Sequence, residues 1–187
     1  MKYDSQQITS VIGEWRRQMA GYQLPEWEEF PSLELYMDQV TILVNQYLAT
    51  FDVDKTLENA VTPAMINNYV KMKIVPAPVK KRYTKIHLAY LVMVCTLKQT
   101  LSMEMIRKLL PVDLAEDELR STYRIFVCNQ KKTFEMLLEL LDKRPMLALT
   151  GSEEGEVRDI VLQSAIFSNL SRTLTRMLLT LPENEEK

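Results

Sequence analysis

Seven basic residues, Lys71, Lys73, Lys80, Lys81, Arg82, Lys85 and Lys98, lie between Glu58 and Glu104, and no carboxylate separates those two glutamates. The chain has 23 Lys plus Arg against 25 Asp plus Glu, so 16 bases face 25 acids elsewhere, a net of −9 (16 − 25). Basicity confined to one short segment of an acidic chain concentrates phosphate-bearing ligands and speeds their encounter. The chemistry on offer is therefore polyanion binding. The plainer alternative is a solvated charged face without a partner, the commoner fate of charge runs.

Catalysis is poorly provided for. One histidine, His87, and two cysteines, Cys95 and Cys128, cannot build a zinc site of the usual His/Cys kind. With four glycines in 187 residues, the chain has no phosphate-cradling glycine loop and no nucleophile elbow. We expect no enzyme, no cofactor and no metal. Both cysteines sit in apolar segments that read as helical, where a free thiol behaves as a small hydrophobe, so no disulfide is expected. Trp15, Tyr22, Trp27 and Phe30 suit either an effector pocket or core anchors, and the sequence leaves the effector open.

The elements that must position the basic residues are helices. The chain is 47% hydrophobic and poor in glycine, which predicts a mainly helical, all-α fold. Ser5 suits the cap of a first helix with Ile8, Val11, Ile12, Trp15 and Met19 on one stripe, ended by Gly21. Leu24 to Pro31 reads as a turn-rich connector. Ser32 then suits the cap of a helix with Leu33, Tyr36, Val40, Leu43, Val44, Tyr47 and Leu48 on one side.

The central segment is the most legible. Thr62-Pro63 predicts an N-cap and a proline at the first helical position, with the helix running to about Lys73. Ile74-Val75-Pro76-Ala77-Pro78 resists helix, and Val79 to Tyr83 reads as a short basic strand or ribbon. Thr84 caps a helix from Lys85 to about Thr100 that is apolar on nearly every side and so belongs in the core. His87 falls in its first turn with no chemistry assigned. Ser102 begins a short helix that buries Ile106, Leu109 and Leu110 before Pro111 stops it.

This order of elements resembles the winged helix-turn-helix DNA-binding domain of MerR-like regulators. Val61-Thr62-Pro63 matches its capped start, and Tyr69 the tyrosine of its helix. Lys71 to Pro76 matches the helix exit, Lys81-Arg82-Tyr83-Thr84 the close of the wing, and Leu101 to Leu110 the helix that follows. More narrowly, Trp27, Leu35 to Val40 and the block from Thr62 to Leu110 are similar to an uncharacterised family common in Gram-positive bacteria and built around such a core. The wing here is short and lacks its usual glycine, and Asn67 stands where a basic residue is common.

The resemblance implies a transcriptional regulator that binds double-stranded DNA. The Pro63 helix would enter the major groove and the wing would lie along the backbone or an adjacent groove. The residues implied are Thr62, Asn67, Asn68, Tyr69, Lys71, Lys73, Lys80, Lys81, Arg82 and Tyr83. Thr62 would meet a phosphate at the helix N-terminus, Asn67 and Asn68 would read adenine, and Lys80, Lys81 and Arg82 would hold phosphates. Tyr69 and Tyr83 fit packing better than base reading. The rival reading is a protein-interaction module that keeps the fold without DNA binding.

Two long helices are expected in the C-terminal third. One runs from Glu116 to about Lys143 with Leu119, Tyr123, Phe126, Val127, Phe134, Leu137, Leu138 and Leu141 on its stripe. The other follows a break at Gly151-Ser152 and carries Val157, Ile160, Val161, Ile166, Leu170, Leu174, Met177, Leu178 and Leu181. They would either fold back into a bundle or pair across a two-fold axis, and the resemblance implies a homodimer. The expected organisation is an N-terminal helical layer (1–55), a winged helix (56–111), a C-terminal bundle or dimerisation region (112–182) and a disordered tail (183–187). No signal peptide or membrane span is read from the sequence, so the expected location is cytoplasmic.

Overall fold

The computed structural model describes residues 10–11, 13–17, 21, 23–49, 60–142 and 153–181. Within them lie a 3-10 turn at Trp27–Glu29 and the helices α1 (Met37–Leu48), α2 (Pro63–Lys71), α3 (Lys85–Leu97), α4 (Met103–Leu109), α5 (Glu116–Asp142) and α6 (Glu153–Leu179). Residues 10–11 and 13–17 are also helical. Pairing of the strand type is limited, among the described residues, to two isolated antiparallel bridges, Leu35 with Tyr83 and Val79 with Arg82. The protein is mainly helical, as its composition predicts. Expectations resting on Ser5, Ile8, Ile12, Met19, Tyr22, the break at 151–152 and the tail beyond 181 lie outside the described residues.

The chain divides into two units, Gln23–Gln130 and Met1–Tyr22 with Lys131–Lys187. The first takes in the whole basic window. Its centre is α3, whose residues from Leu88 to Val94 have no exposed surface. An apolar helix of this kind needs cover on every side, and α1 packs against it through a face that buries Val40 and Val44 completely. Ile66 and Tyr69 of α2, Ile106 of α4, and Leu119 and Tyr123 of α5 are also buried. Trp27 and Phe30, half of the quartet considered for an effector pocket, are core residues 2% and 4% exposed. Phe30 and Tyr123 lie ring to ring at 5.1 Å, and the Tyr123 hydroxyl donates to the Pro25 carbonyl at 2.8 Å. A buried phenol needs such a partner.

Three local expectations are corrected. The second helix starts at Met37 rather than near Ser32, leaving Leu33 76% and Tyr36 50% exposed. The reason is tertiary: Leu35 exchanges two backbone hydrogen bonds with Tyr83, at 2.8 and 2.9 Å, which holds it extended. The helix then begins with Gln39 accepting the Tyr36 N–H at 2.9 Å. Leu109, expected to face inward, is 44% exposed, while Leu110 after the helix end is buried instead. Finally, of the strand or ribbon expected at 79–83, the structure forms a two-residue hairpin closed by the Val79–Arg82 bridge.

In the second unit Trp15 stacks on Phe134 with ring centroids 6.0 Å apart. Helix α6 is amphipathic, yet from Val161 onward most of its large apolar side chains are exposed, Leu179 being half-buried.

Candidate nucleic-acid interface

Helix α2 starts where the sequence places it. Proline supplies the helical φ, and the Thr62 hydroxyl accepts the Met65 N–H at 3.3 Å. The start is fixed from outside by Asn45. Its side-chain amide donates to the Val61 carbonyl at 2.9 Å and its amide oxygen accepts the Val61 N–H at 2.7 Å, a pair of bonds that ties the chain before α2 to α1. The far end is held by Arg107 of α4, whose guanidinium donates to the Met72 carbonyl at 2.7 Å. With Ile66 and Tyr69 buried beneath, the outward stripe is Ala64, Asn67, Asn68 and Lys71, the i, i+3, i+4, i+7 spacing of one helix face. The Asn68 amide rests on the Met72 sulfur at 3.6 Å.

The exit from α2 is a Schellman turn. Ile74 N–H donates to the Tyr69 carbonyl at 2.9 Å and Lys73 N–H to the Val70 carbonyl at 3.0 Å. Lys73 occupies the left-handed position, at φ 54°, that glycine usually fills. The chain then runs through Pro76 and Pro78 to a two-residue hairpin. There Arg82 N–H donates to the Val79 carbonyl at 2.9 Å across Lys80 (φ 51°) and Lys81 (φ 61°). Two consecutive positive φ values are the signature of a type I′ turn, which favours Asn-Gly. These three lysines are the positive-φ residues among the described part of the chain.

The bridge from Tyr83 to Leu35 anchors the hairpin base and brings Tyr36 beneath Arg82, whose guanidinium carbon lies 3.7 Å from the ring centroid. Stacking of this kind orients the guanidinium and leaves its N–H donors free for an anion. Behind the base, His87 is 6% exposed and accepts the Thr84 N–H on Nδ1 at 3.0 Å, acting as the third residue of a capping box. Its ring meets that of Tyr83 edge on at 5.2 Å.

The ten residues expected to contact DNA separate cleanly. Thr62, Asn67, Asn68, Lys71, Lys73, Lys80 and Lys81 are exposed and Arg82 is half-buried under its stacking contact. Tyr69 and Tyr83 are each 3% exposed and serve as packing residues. The Tyr69 hydroxyl is held with the Cys95 thiol, and burial raises both groups, pushing the thiol up to about 11. Lys85 is turned to internal use, paired with Glu116 at 3.3 Å and lying over the Trp27 ring at 5.4 Å. Arg120 and Arg124 both bind Glu28. Lys71, Lys73, Lys80, Lys81 and Arg82 have no such carboxylate partner among the described residues, as expected of a window without acids.

Three contributors escaped sequence reasoning. Tyr36 falls on the stripe of a helix expected from the sequence, and nothing in the spacing ties it to Arg82. Asn45 left a weak signal, an indifferent helix former placed mid-helix. Arg107 left none, since a base in a last helical turn already has its own carbonyls to serve.

No membrane-spanning helix and no cluster of metal-ligating side chains occurs among the described residues. Comparison with curated proteins and with solved structures finds no match. The sequence model of a family described as a domain of unknown function (DUF1836) matches residues 25–128, more than half of the 187 in the chain. That span contains the Tyr36 platform, α2, the hairpin and the helix α3 that supports them, and the chain belongs to this family.

Proposed function

We propose that residues 62–83 form a winged helix-turn-helix DNA-binding surface and that the protein regulates transcription by sequence-specific binding, without catalysis. The observation that carries the reading is the placement of lysine at all three left-handed positions of the segment, Lys73, Lys80 and Lys81. A side chain there costs about 1–2 kcal/mol per residue relative to the right-handed helix region. Strain of this sort gathers at functional sites. Glycine or asparagine would serve the turns more cheaply, so the charge is what lysine adds. Arg82, oriented on Tyr36, supplies the geometry suited to a phosphate, while Asn67 and Asn68 on the exposed stripe of α2 have the amide pair that suits adenine.

The test is selection of genomic fragments by the purified protein, then anisotropy titration of the best fragment and a scrambled one over a range of salt. Specific binding with a log–log salt slope of roughly −4 to −9 is expected, from about five to ten phosphate contacts. Replacing Lys80, Lys81 and Arg82 together by alanine should shallow that slope by about 2–3 and weaken binding to every sequence. An unchanged affinity in that variant, with the fold retained, would overturn the reading and favour docking of an acidic protein partner.

A further inference from the structure

One peptide unit holds the base of the hairpin at both of its ends. The Tyr83 carbonyl accepts the Leu35 N–H at 2.8 Å, and the Thr84 N–H donates to His87 Nδ1 at 3.0 Å. These two groups belong to the same peptide bond, which is planar and turns as a single body. A main-chain N–H can only donate, so Nδ1 is unprotonated and the one proton of the neutral ring sits on Nε2. That nitrogen is enclosed with no hydrogen-bond partner, and the side chain as a whole is 6% exposed. The single histidine of the chain is therefore a buried proton site joined to the segment that carries Arg82.

We infer that the Tyr83–Thr84 peptide is a proton-sensitive latch: protonation of His87 releases the basic hairpin from Leu35 and Tyr36, and with it the grip on DNA. An imidazolium presents a donor at both nitrogens, so the new Nδ1–H meets the Thr84 N–H donor against donor. The Thr84 hydroxyl oxygen, 3.1 Å from Nδ1, can accept the added proton, but the Thr84 N–H is then left without an acceptor at a half-buried position. Turning the peptide to free that N–H swings the Tyr83 carbonyl off the Leu35 N–H. The bridge that brings Tyr36 beneath Arg82 is lost in the same rotation.

The surroundings keep the latch closed at neutral pH. Burial disfavours the charged ring, the Ala77 and Thr84 backbones oppose this, and no charged side chain among the described residues acts on it. Tyr83, edge on to the ring, and Tyr90, one turn along α3, are kept protonated by burial. Lys85 in the same helical turn is paired with Glu116. Opening thus begins only below the ordinary histidine value of 6.5. There, DNA binding must expel a proton to close the latch, and affinity falls by up to about tenfold per pH unit.

The consequence for DNA rests on the function proposed above, whereas the latch does not, and two measurements separate them. In the free protein, protection of the Leu35 and Tyr83 amides from hydrogen exchange should fall as the His87 ring titrates by NMR between about pH 7.5 and about pH 5. In His87→Gln, whose side-chain oxygen still accepts the Thr84 N–H, that protection should persist. Titration of the selected DNA fragment at constant ionic strength should then show wild-type affinity falling over the same range, while the glutamine variant, equal to wild type at neutral pH, holds its affinity. A ring that takes up no proton by about pH 5, amides that ignore its titration, or parallel affinity profiles for the two proteins would each overturn the latch. Absence of DNA binding at every pH overturns the DNA reading and leaves the latch to the exchange measurement.

Discussion

Tyr36 and His87 carry the most informative single-residue consequences. Half-exposed and outside the core, Tyr36 contributes one face to Arg82 and little to stability. Tyr36→Leu should weaken DNA binding by about 0.5–1 kcal/mol, roughly two- to fivefold, with an unchanged melting temperature, because leucine retains the apolar contact and loses the ring quadrupole. Equal affinities of the two proteins at low salt would remove Tyr36 from the interface. His87 acts on stability. Burial holds its imidazole below the ordinary value of 6.5, against the opposing pull of the Ala77 and Thr84 backbones. Above that pH neither the folded nor the unfolded chain carries the proton, and His87 adds no pH dependence. Below it the unfolded chain is protonated first, so stability falls with acidification by up to about 1.4 kcal/mol per pH unit until the folded chain also takes up the proton. As the single histidine of the chain, it can be isolated by comparison with His87→Gln, which keeps an acceptor for the Thr84 N–H. Denaturant midpoints of that variant should lose the part of the decline between neutral and mildly acid pH that is due to His87.

At the scale of the element, the α2 exit and the hairpin turn each set charge against conformation. Lys73→Gly and the pair Lys80→Asn with Lys81→Gly install the residues these turns favour. Each change should gain stability, by about 1 kcal/mol per relieved position, while shallowing the salt slope for DNA by about 1 per lysine removed. Alanine at the same positions removes the charge and retains the strain, so it should lower affinity without the stability gain. The prediction fails if glycine and alanine variants unfold at the same denaturant concentration. Helix α2 shows the same logic from the packing side. Its nine residues are too few to persist alone in water, so its geometry depends on Asn45 before the start, Arg107 at the exit and the buried Ile66 and Tyr69 between them.

Over the whole molecule, a chain with a net charge of −2 approaches a polyanion only through a local surplus of bases. That surplus arises by subtraction. Lys85 of the basic window is engaged by Glu116, and Arg120 and Arg124 outside it by Glu28, while Lys71, Lys73, Lys80 and Lys81 stay exposed beside the half-buried Arg82. Screening at physiological salt limits their reach to about 8 Å, so they act as contacts and not as a distant field. The family match at 25–128 coincides closely with the unit 23–130.

The sequence by itself determined the helical class, the start of α2 at Pro63, the core role of α3 and the lopsided charge. Each rests on local rules: proline geometry, capping hydroxyls, apolar periodicity and residue counting. Only the tertiary structure decided which bases remain free, because pairing of Lys85 with Glu116 or of Arg120 with Glu28 joins residues far apart in the chain. It also chose a hairpin over a strand at 79–83, delayed α1 to Met37 and laid Arg82 on Tyr36. The last two follow from one long-range pairing, Leu35 with Tyr83, which overrides the local helix signal at 32–36 and leaves no trace in residue spacing.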